Sequence, residues 1–358
     1  MTDPVRDTIN LQKQKTRRRG TKFWLVYLLI TSVSIVLVLE GAVRILHLAP
    51  PMPVAFNFVA DPVLPFRPEP FSKGISATKE FEYEYSHNSM GFRDVEHAVA
   101  KTPGVFRILA LGDSFTYGAG VSFNETYLYR LEQMLNAREQ HPKVEIIKAG
   151  ISRYYPEPER LLLEHYGLIY SPDLITVAFV PNDILDASQG LDSIKIGHSG
   201  YLVTREGQNR PRIVTLLYTC SHVFRILFNK YTAMRSKEPP IPWDQVYQPN
   251  GIFEKDWRSN EAEYEKMLQL AKSIHARFAI VHIPQQGPWD NSKSYPATRL
   301  ANWSSAHGAE FIDTLPAMKS AEREKNLYYA QDGHCRAAGY EVIAETLYKE
   351  LTNRGLVP

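Results

Sequence analysis

Residues 107–121 read RILALGDSFTYGAGV. An apolar run breaks off at Gly112-Asp113-Ser114, and glycines return at 118 and 120. The run has the length and composition of a strand buried on both faces, and a helix-like segment follows it. Ser114 therefore falls at the carboxyl end of a strand, where open α/β sheets bind their ligands. Two readings stand side by side: an ordinary Gly-Asp-Ser turn, or a serine held as a nucleophile.

From this strand the same rhythm runs along the chain. Apolar strand candidates are FRILALG (106–112), VEIIKAG (144–150), LITVAFV (174–180), FAIVHIP (278–284) and EFIDTL (310–315). Helix-like stretches at 125–139, 157–169, 260–276 and 337–353 lie between and after them. Near-continuous apolar strands alternating with helices predict a doubly wound α/β sandwich on a parallel sheet. Residues 186–257 lose the rhythm and read as an insertion. They hold a possible hairpin at GYLVTREGQ and an amphipathic stretch at RIVTLLYTCSHVFRILFNKY. That stretch suits a lid, a membrane-leaning segment, or a helix packed on the flank of the sheet; the last is favoured, because apolar stripes are usually core.

The chain of 358 residues is 44% hydrophobic and 22% charged, which excludes a largely disordered protein. Residues 1–22 carry seven Lys and Arg against two Asp, a net +5, leaving −3 on the remainder. The body therefore has no basic character for nucleic acid. The basic head precedes FWLVYLLITSVSIVLVL, residues 23–39, which contains no charge and extends as an apolar run to about residue 46. That length crosses a bilayer at the lower limit. Glu40 and Arg44, one helical turn apart, can pair near the headgroups. A cleaved signal peptide is the rival, but its apolar run is shorter and no small-x-small cleavage site follows Leu39. The cationic flank places the N-terminus inside and the rest outside. Seven prolines between residues 48 and 70 read as a stiff spacer. The expected organisation is a cytoplasmic tail at 1–22, a transmembrane anchor at 23–46, a linker at 47–86 and one domain at 87–358. The two cysteines, Cys220 and Cys335, do not make a disulfide framework. No metal or cofactor motif is present, so none is expected.

A serine hydroxyl needs a base, and the base needs an orienting group. In QDGHCRAAGYEVIAETL, Asp332 stands two residues before His334, just ahead of the last helix. An aspartate so placed can hold Nδ1 and leave Nε2 for Ser114. His282, inside a strand, reads as a hydrogen-bonded core histidine, and His87 has no role assigned. Donors for an oxyanion are the Ser114 N–H and the side chain of Asn182, which follows the third strand beside Asp183.

With these residues the chain resembles the SGNH hydrolases, also called the GDSL family. The resemblance runs from about residue 87 to the C-terminus, outside the insertion, and implies a flavodoxin-like α/β/α sandwich that cleaves esters without a cofactor. It implies Ser114 as nucleophile and first oxyanion donor, and Asp332 and His334 as the remaining triad. The third block, usually Gly-x-Asn-Asp, matches at Asn182 and Asp183, with Val180 in place of its glycine. The second block, often Asn-x-Gly-x-x-Gly, matches at Gly150. It has Lys148 at the Asn and Arg153 at the last glycine, whose N–H is the further oxyanion donor. HNSMGFRDVEHA, residues 87–98, resembles a segment of membrane-anchored bacterial members and reads as a brace.

The expected function is a serine esterase or deacylase outside the bacterial cytoplasmic membrane, in periplasm or beyond, acting on acylated, for instance O-acetylated, glycans or lipids. An O-acyltransferase with the same triad and a non-catalytic glycan-binding scaffold are the alternatives. Protein partners are not legible.

Overall fold

The computed structural model describes residues 4–46, 48–49, 57–197, 200–204, 211–235, 243–287, 289 and 294–358. They fall into two compact units: Met1–Pro51 with Pro211–Lys237, and Met52–Arg210 with Glu238–Pro358.

The larger unit is built on five parallel strands, β5 (Phe106–Gly112), β6 (Val144–Gly150), β7 (Leu174–Phe179), β10 (Arg277–His282) and β11 (Glu310–Asp313). Their spatial order is β11-β10-β7-β5-β6. Numbered along the chain this is 2-1-3-4-5, the flavodoxin-like order, and its switch point lies between β5 and β7. Every strand expected from the sequence is present. Successive β5 residues enter opposite layers. Leu109 and Leu111 join Tyr264, Met267 and Trp303 on one face, while Ile108 and Ala110 join Leu131, Ile343 and Leu347 on the other. The first face is covered by α4 (Pro156–Leu162), α9 (Glu254–Ser273) and α10 (Tyr295–His307). The second carries α3 (Tyr127–Asn136), α11 (Leu315–Ala321) and α12 (Ala337–Asn353). Double coverage is why these strands are apolar throughout rather than alternating.

β5 and β6 end in register, Gly112 opposite Gly150. The short helix α2 (Ser114–Tyr117) packs directly on this edge. A Cβ on Gly150 would overlap the Tyr117 nitrogen and the Thr116 carbonyl carbon, so only glycine lets α2 sit so close.

Part of the stretch read as a linker folds instead. Four short strands, β1 (Phe58–Val59), β2 (Arg67–Pro68), β3 (Lys73–Ala77) and β4 (Glu82–Ser86), form two antiparallel pairs. Phe58, Leu64, Phe66, Tyr83 and Tyr85 are buried with the sheet's own core. Phe66 packs edge-on to Phe58 and Tyr154, and its carbonyl accepts from the Tyr154 hydroxyl. Prolines stop the segment from joining a long sheet, but they leave its aromatic residues free to bury apolar area. The proline-dense start of the spacer, residues 50–56, lies outside the described residues.

Among the described residues, 186–257, read as an insertion, add no strand to the five-stranded sheet. The region begins inside α5 (Asn182–Gln189), pairs β8 (Ile194–Ile196) with β9 (Leu202–Thr204), and returns to the core through α8 (Trp243–Val246), with Tyr247 and Trp257 beyond it. The amphipathic stretch forms two helices, α6 (Arg212–Cys220) and α7 (His222–Arg235), which belong to the other unit. Its apolar stripe is not core: Ile213, Leu216, Leu217, Leu227, Tyr231 and Met234 are exposed.

In that unit α1 (Pro4–Ile45) is one helix of 42 residues. Its segment Lys22–Ile45 is long and apolar enough to cross a membrane.

Candidate active site

Asp113 sets the local geometry. It is the N-cap of α2, and its Oδ1 accepts from Phe115 N at 2.8 Å, which fixes where the helix starts and hence where Ser114 points. The far end of α2 is clamped. Arg93 donates to the carbonyls of Gly118 and Val121, and its guanidinium lies over Tyr83, 4.5 Å from the ring centroid. His87 bridges Ser72 Oγ at 2.9 Å and the Tyr117 hydroxyl at 3.0 Å. The HNSMGFRD segment is thus a brace, as expected, and His87 serves the serine's helix rather than the serine.

Ser114 Oγ lies 2.7 Å from His334 Nε2, and His334 Nδ1 lies 2.5 Å from Asp332 Oδ1. The loop that brings them is pinned at several points. Tyr329 N donates to His334 O, Gly333 N donates to Tyr329 O, and Tyr328 bridges to Cys335. Glu80, just before β4, accepts from the backbone of Gln331 at 2.9 Å and of Asp332 at 2.7 Å. The His334 ring packs on Phe115 with centroids 4.9 Å apart. Burial works to raise the Asp332 carboxyl, but the hydrogen bond from the His334 ring and the imidazole's charge outweigh it and hold the group below the usual aspartate range. The Asp332 carboxylate at Nδ1 fixes the orientation of the ring whose Nε2 faces Ser114.

These residues open onto a cavity of about 780 Å³. Its walls include Phe81, Tyr83, Leu202, Trp243 and Tyr247, and Asn182 and Arg153 reach the same space. Arg153 takes a positive φ of 71°, the conformation glycine would adopt more readily. Its guanidinium is 3.4 Å from Asp186. Among the described residues, the backbone N–H groups of Ser114 and Arg153 have no hydrogen-bond acceptor. Asn182 differs from the expectation of a free side-chain donor. Its Nδ2 donates to Asp113 Oδ2 at 2.9 Å and to Asp186 Oδ2 at 3.3 Å, so the amide ties the β5 and β7 loops together. Lys148 does not enter the site. It is buried between Asp94 at 3.2 Å and Glu132 at 2.7 Å. His282 is a core histidine, 2.8 Å from Asp313. Cys220 and Cys335 are both free thiols.

Behind Asp113 stand two buried acids: Asp183, which the sequence places beside Asn182, and Glu159, which it does not single out. Glu159 in α4 and Asp183 in α5 are both wholly buried. Among the described residues neither Glu159 oxygen has a hydrogen-bond partner, whereas Asp183 Oδ2 accepts from Val180 N at 3.2 Å. Burial, then repulsion from Asp113, drives the Glu159 carboxyl well above its usual range; burial, then Glu159 and Asp113, does the same to Asp183. Glu159 is the member without a donor, so nothing among the described residues offsets the burial that disfavours its charge.

A family model described as GDSL-like lipase/acylhydrolase matches residues 110–342, more than half of the chain. No curated protein matches it. Similar solved structures include a lipolytic G-D-S-L family protein from Veillonella parvula, at 15% identity and TM-score 0.42, covering 69% of this chain and 98% of the other. An acetylxylan esterase from Geobacillus stearothermophilus matches at 14% identity and TM-score 0.43, covering 69% and 94%. The chain belongs to the GDSL-like lipase/acylhydrolase family and is an ester-bond hydrolase by that membership.

Proposed function

We propose that this chain is a serine deacylase of acylated cell-envelope glycans or lipids, held at the membrane by α1 with its N-terminus inside. Ser114 Oγ attacks the ester carbonyl as His334 Nε2 takes its proton. Asp332 keeps the imidazole oriented and stabilises its charged form. The oxyanion is met by the N–H groups of Ser114 and Arg153, and by Asn182 as its longer bond to Asp186 gives way. The alkoxide leaves with the proton from His334, and water releases the acyl group by the same steps in reverse. The observation that carries this reading is the continuous Ser114–His334–Asp332 hydrogen-bond chain at the mouth of an aromatic-walled cavity. Aromatic walls suit the apolar faces of sugar rings or an acyl chain.

The test is hydrolysis of p-nitrophenyl acetate by the full chain in detergent, beside Ser114→Ala. Turnover that disappears in the variant is expected. Equal background rates in both would overturn the hydrolase reading and leave the scaffold alternative. Acetyl transfer to an added sugar alcohol in place of water would identify an acyltransferase.

A further inference from the structure

The helical pair α6–α7 stands outside this chemistry, and its position is defined by α1. The elbow between the two helices closes on Glu40. Ser221 Oγ and Val223 N donate to Glu40 Oε2 at 2.8 and 3.0 Å, and His222 N donates to Oε1 at 2.8 Å. Arg44, itself paired with Glu40 at 2.8 Å, donates to the Cys220 carbonyl at 2.7 Å. A carboxylate at the start of α7 and a cation at the end of α6 match both helix dipoles.

This clasp sits at one level of α1. The charge-free run ends at Leu39, and from Phe23 it rises about 24 Å, against roughly 30 Å for a hydrocarbon core. Glu40 is thus at the polar boundary. Residues 32–39 of α1 are all exposed, whereas Glu40, Gly41 and Val43 are partly covered. The hairpin therefore grips only the end of the span.

Its free face is apolar in both helices. Ile213, Leu216 and Leu217 recur at helical spacing on α6, and Leu227, Tyr231 and Met234 do so on α7; all are between 39% and 87% exposed. Residues 211–235 hold Arg212, Arg225, Lys230 and Arg235 and no Asp or Glu. Arg225 turns inward to the carbonyls of Tyr218 and Thr219, while Arg212, Lys230 and Arg235 are exposed. An apolar stripe with basic flanks and no acids is the pattern of a helix lying in an anionic bilayer surface.

We propose that α6–α7 is an interfacial foot that docks on the bilayer at the C-terminal end of α1, with its apolar stripe in the acyl boundary and its cations on anionic phosphate headgroups. The proposal rests on α1 crossing the membrane, and the experiment separates the two claims.

The full chain carrying Cys220→Ser is reconstituted in phosphatidylglycerol nanodiscs, with nitroxides placed singly at Leu29→Cys, Leu216→Cys, Leu227→Cys and Glu324→Cys. Collision with oxygen and with a water-soluble nickel chelate is measured for each. Leu29 reports whether α1 is in lipid, and Glu324 is the aqueous reference. Labels at 216 and 227 are expected to show an oxygen-to-nickel ratio at least tenfold that at 324. Neutralising Arg212, Lys230 and Arg235 to Gln should lower the inserted population roughly fivefold for each cation removed. Aqueous values at 216 and 227 with lipid values at 29 would overturn the foot alone. Aqueous values at 29 as well would overturn both claims. Labels at 216 and 227 shielded from both reagents, or broadened by a second copy, would put protein on the stripe and overturn the lipid assignment.

Discussion

The buried acid behind the site makes a prediction with a worked sign. Glu159 has a folded-state pKa above its unfolded value of about 4.3. Above that pH the unfolded chain releases the proton and the native chain keeps it. Stability from this group is therefore full in acid and falls by about 1.4 kcal/mol for each pH unit, until the native carboxyl ionises. His87 works in the opposite sense. Burial pushes it down to about 4, so below about 6.5 the unfolded state binds a proton the native state refuses, and stability rises with pH. Between about pH 4.3 and 6.5 these two slopes have opposite signs, and Asp183, raised in the same way as Glu159, adds to the falling one, so the wild-type curve alone isolates neither group. Glu159→Gln separates them, because glutamine has the shape of the neutral acid and does not titrate. Urea unfolding of the full chain in detergent, followed by near-UV circular dichroism, should show the variant gaining on the wild type as the pH rises from 5 to 7, at up to about 1.4 kcal/mol per pH unit while the native carboxyl keeps its proton. The contribution of His87 is common to both and drops out. A difference constant within about 0.5 kcal/mol over that range would mean that Glu159 enters the native state ionised, and would refute the reasoning.

Three further outcomes follow from the contacts. Asp332→Asn leaves a side chain that can donate to Nδ1 and favour the wrong tautomer, so kcat for p-nitrophenyl acetate should fall by about 10³–10⁴ with KM little changed. Gly150→Ala pushes α2 off β6; steady-state kinetics and chemical denaturation should show kcat down by at least tenfold and a loss of roughly 1–3 kcal/mol from overpacking. Lys148→Met leaves Asp94 and Glu132 without their shared cation, with a cost of about 3–5 kcal/mol by denaturation.

The strands were legible because each is a short apolar run that a doubly covered sheet demands, and the runs at 106–112 and 144–150 match their strands residue for residue. The pairing of Asp332 with His334 was legible because two residues of separation let the carboxylate reach the same imidazole. Glu159 left no comparable trace. An acid in the first turn of a helix after two prolines ordinarily caps it in solvent, whereas α4 packs against α9, α5 and β5 and Glu159 is wholly buried. The setting of Lys148 was hidden for a related reason: its partners Asp94 and Glu132 lie 54 and 16 residues away. In the linker, proline density argued for extension, whereas the aromatic residues between the prolines determined the outcome. The stripe of α6 and α7 was visible, but periodicity reports that a face is apolar and not what it meets.

The aspartate of Gly-Asp-Ser is not the acid that serves the histidine, and its position explains why it precedes the serine. Asp113 is almost wholly buried, and burial raises its carboxyl, while the hydrogen bonds from Asn182 and Phe115 N oppose that rise. Those two bonds define a job. One fixes the first turn of α2 and so the direction of Ser114; the other reaches the loop after β7, across the switch point of the sheet. A shorter acid held between these donors joins the two loops whose carboxyl-end crevice forms the site. Asp332, on a loop fastened by Glu80 and by the bridge to Tyr328, is left to orient His334 alone. In the proposed mechanism two aspartates thus divide positioning of the serine from positioning of its base, and the division follows from which of them the helix start can reach.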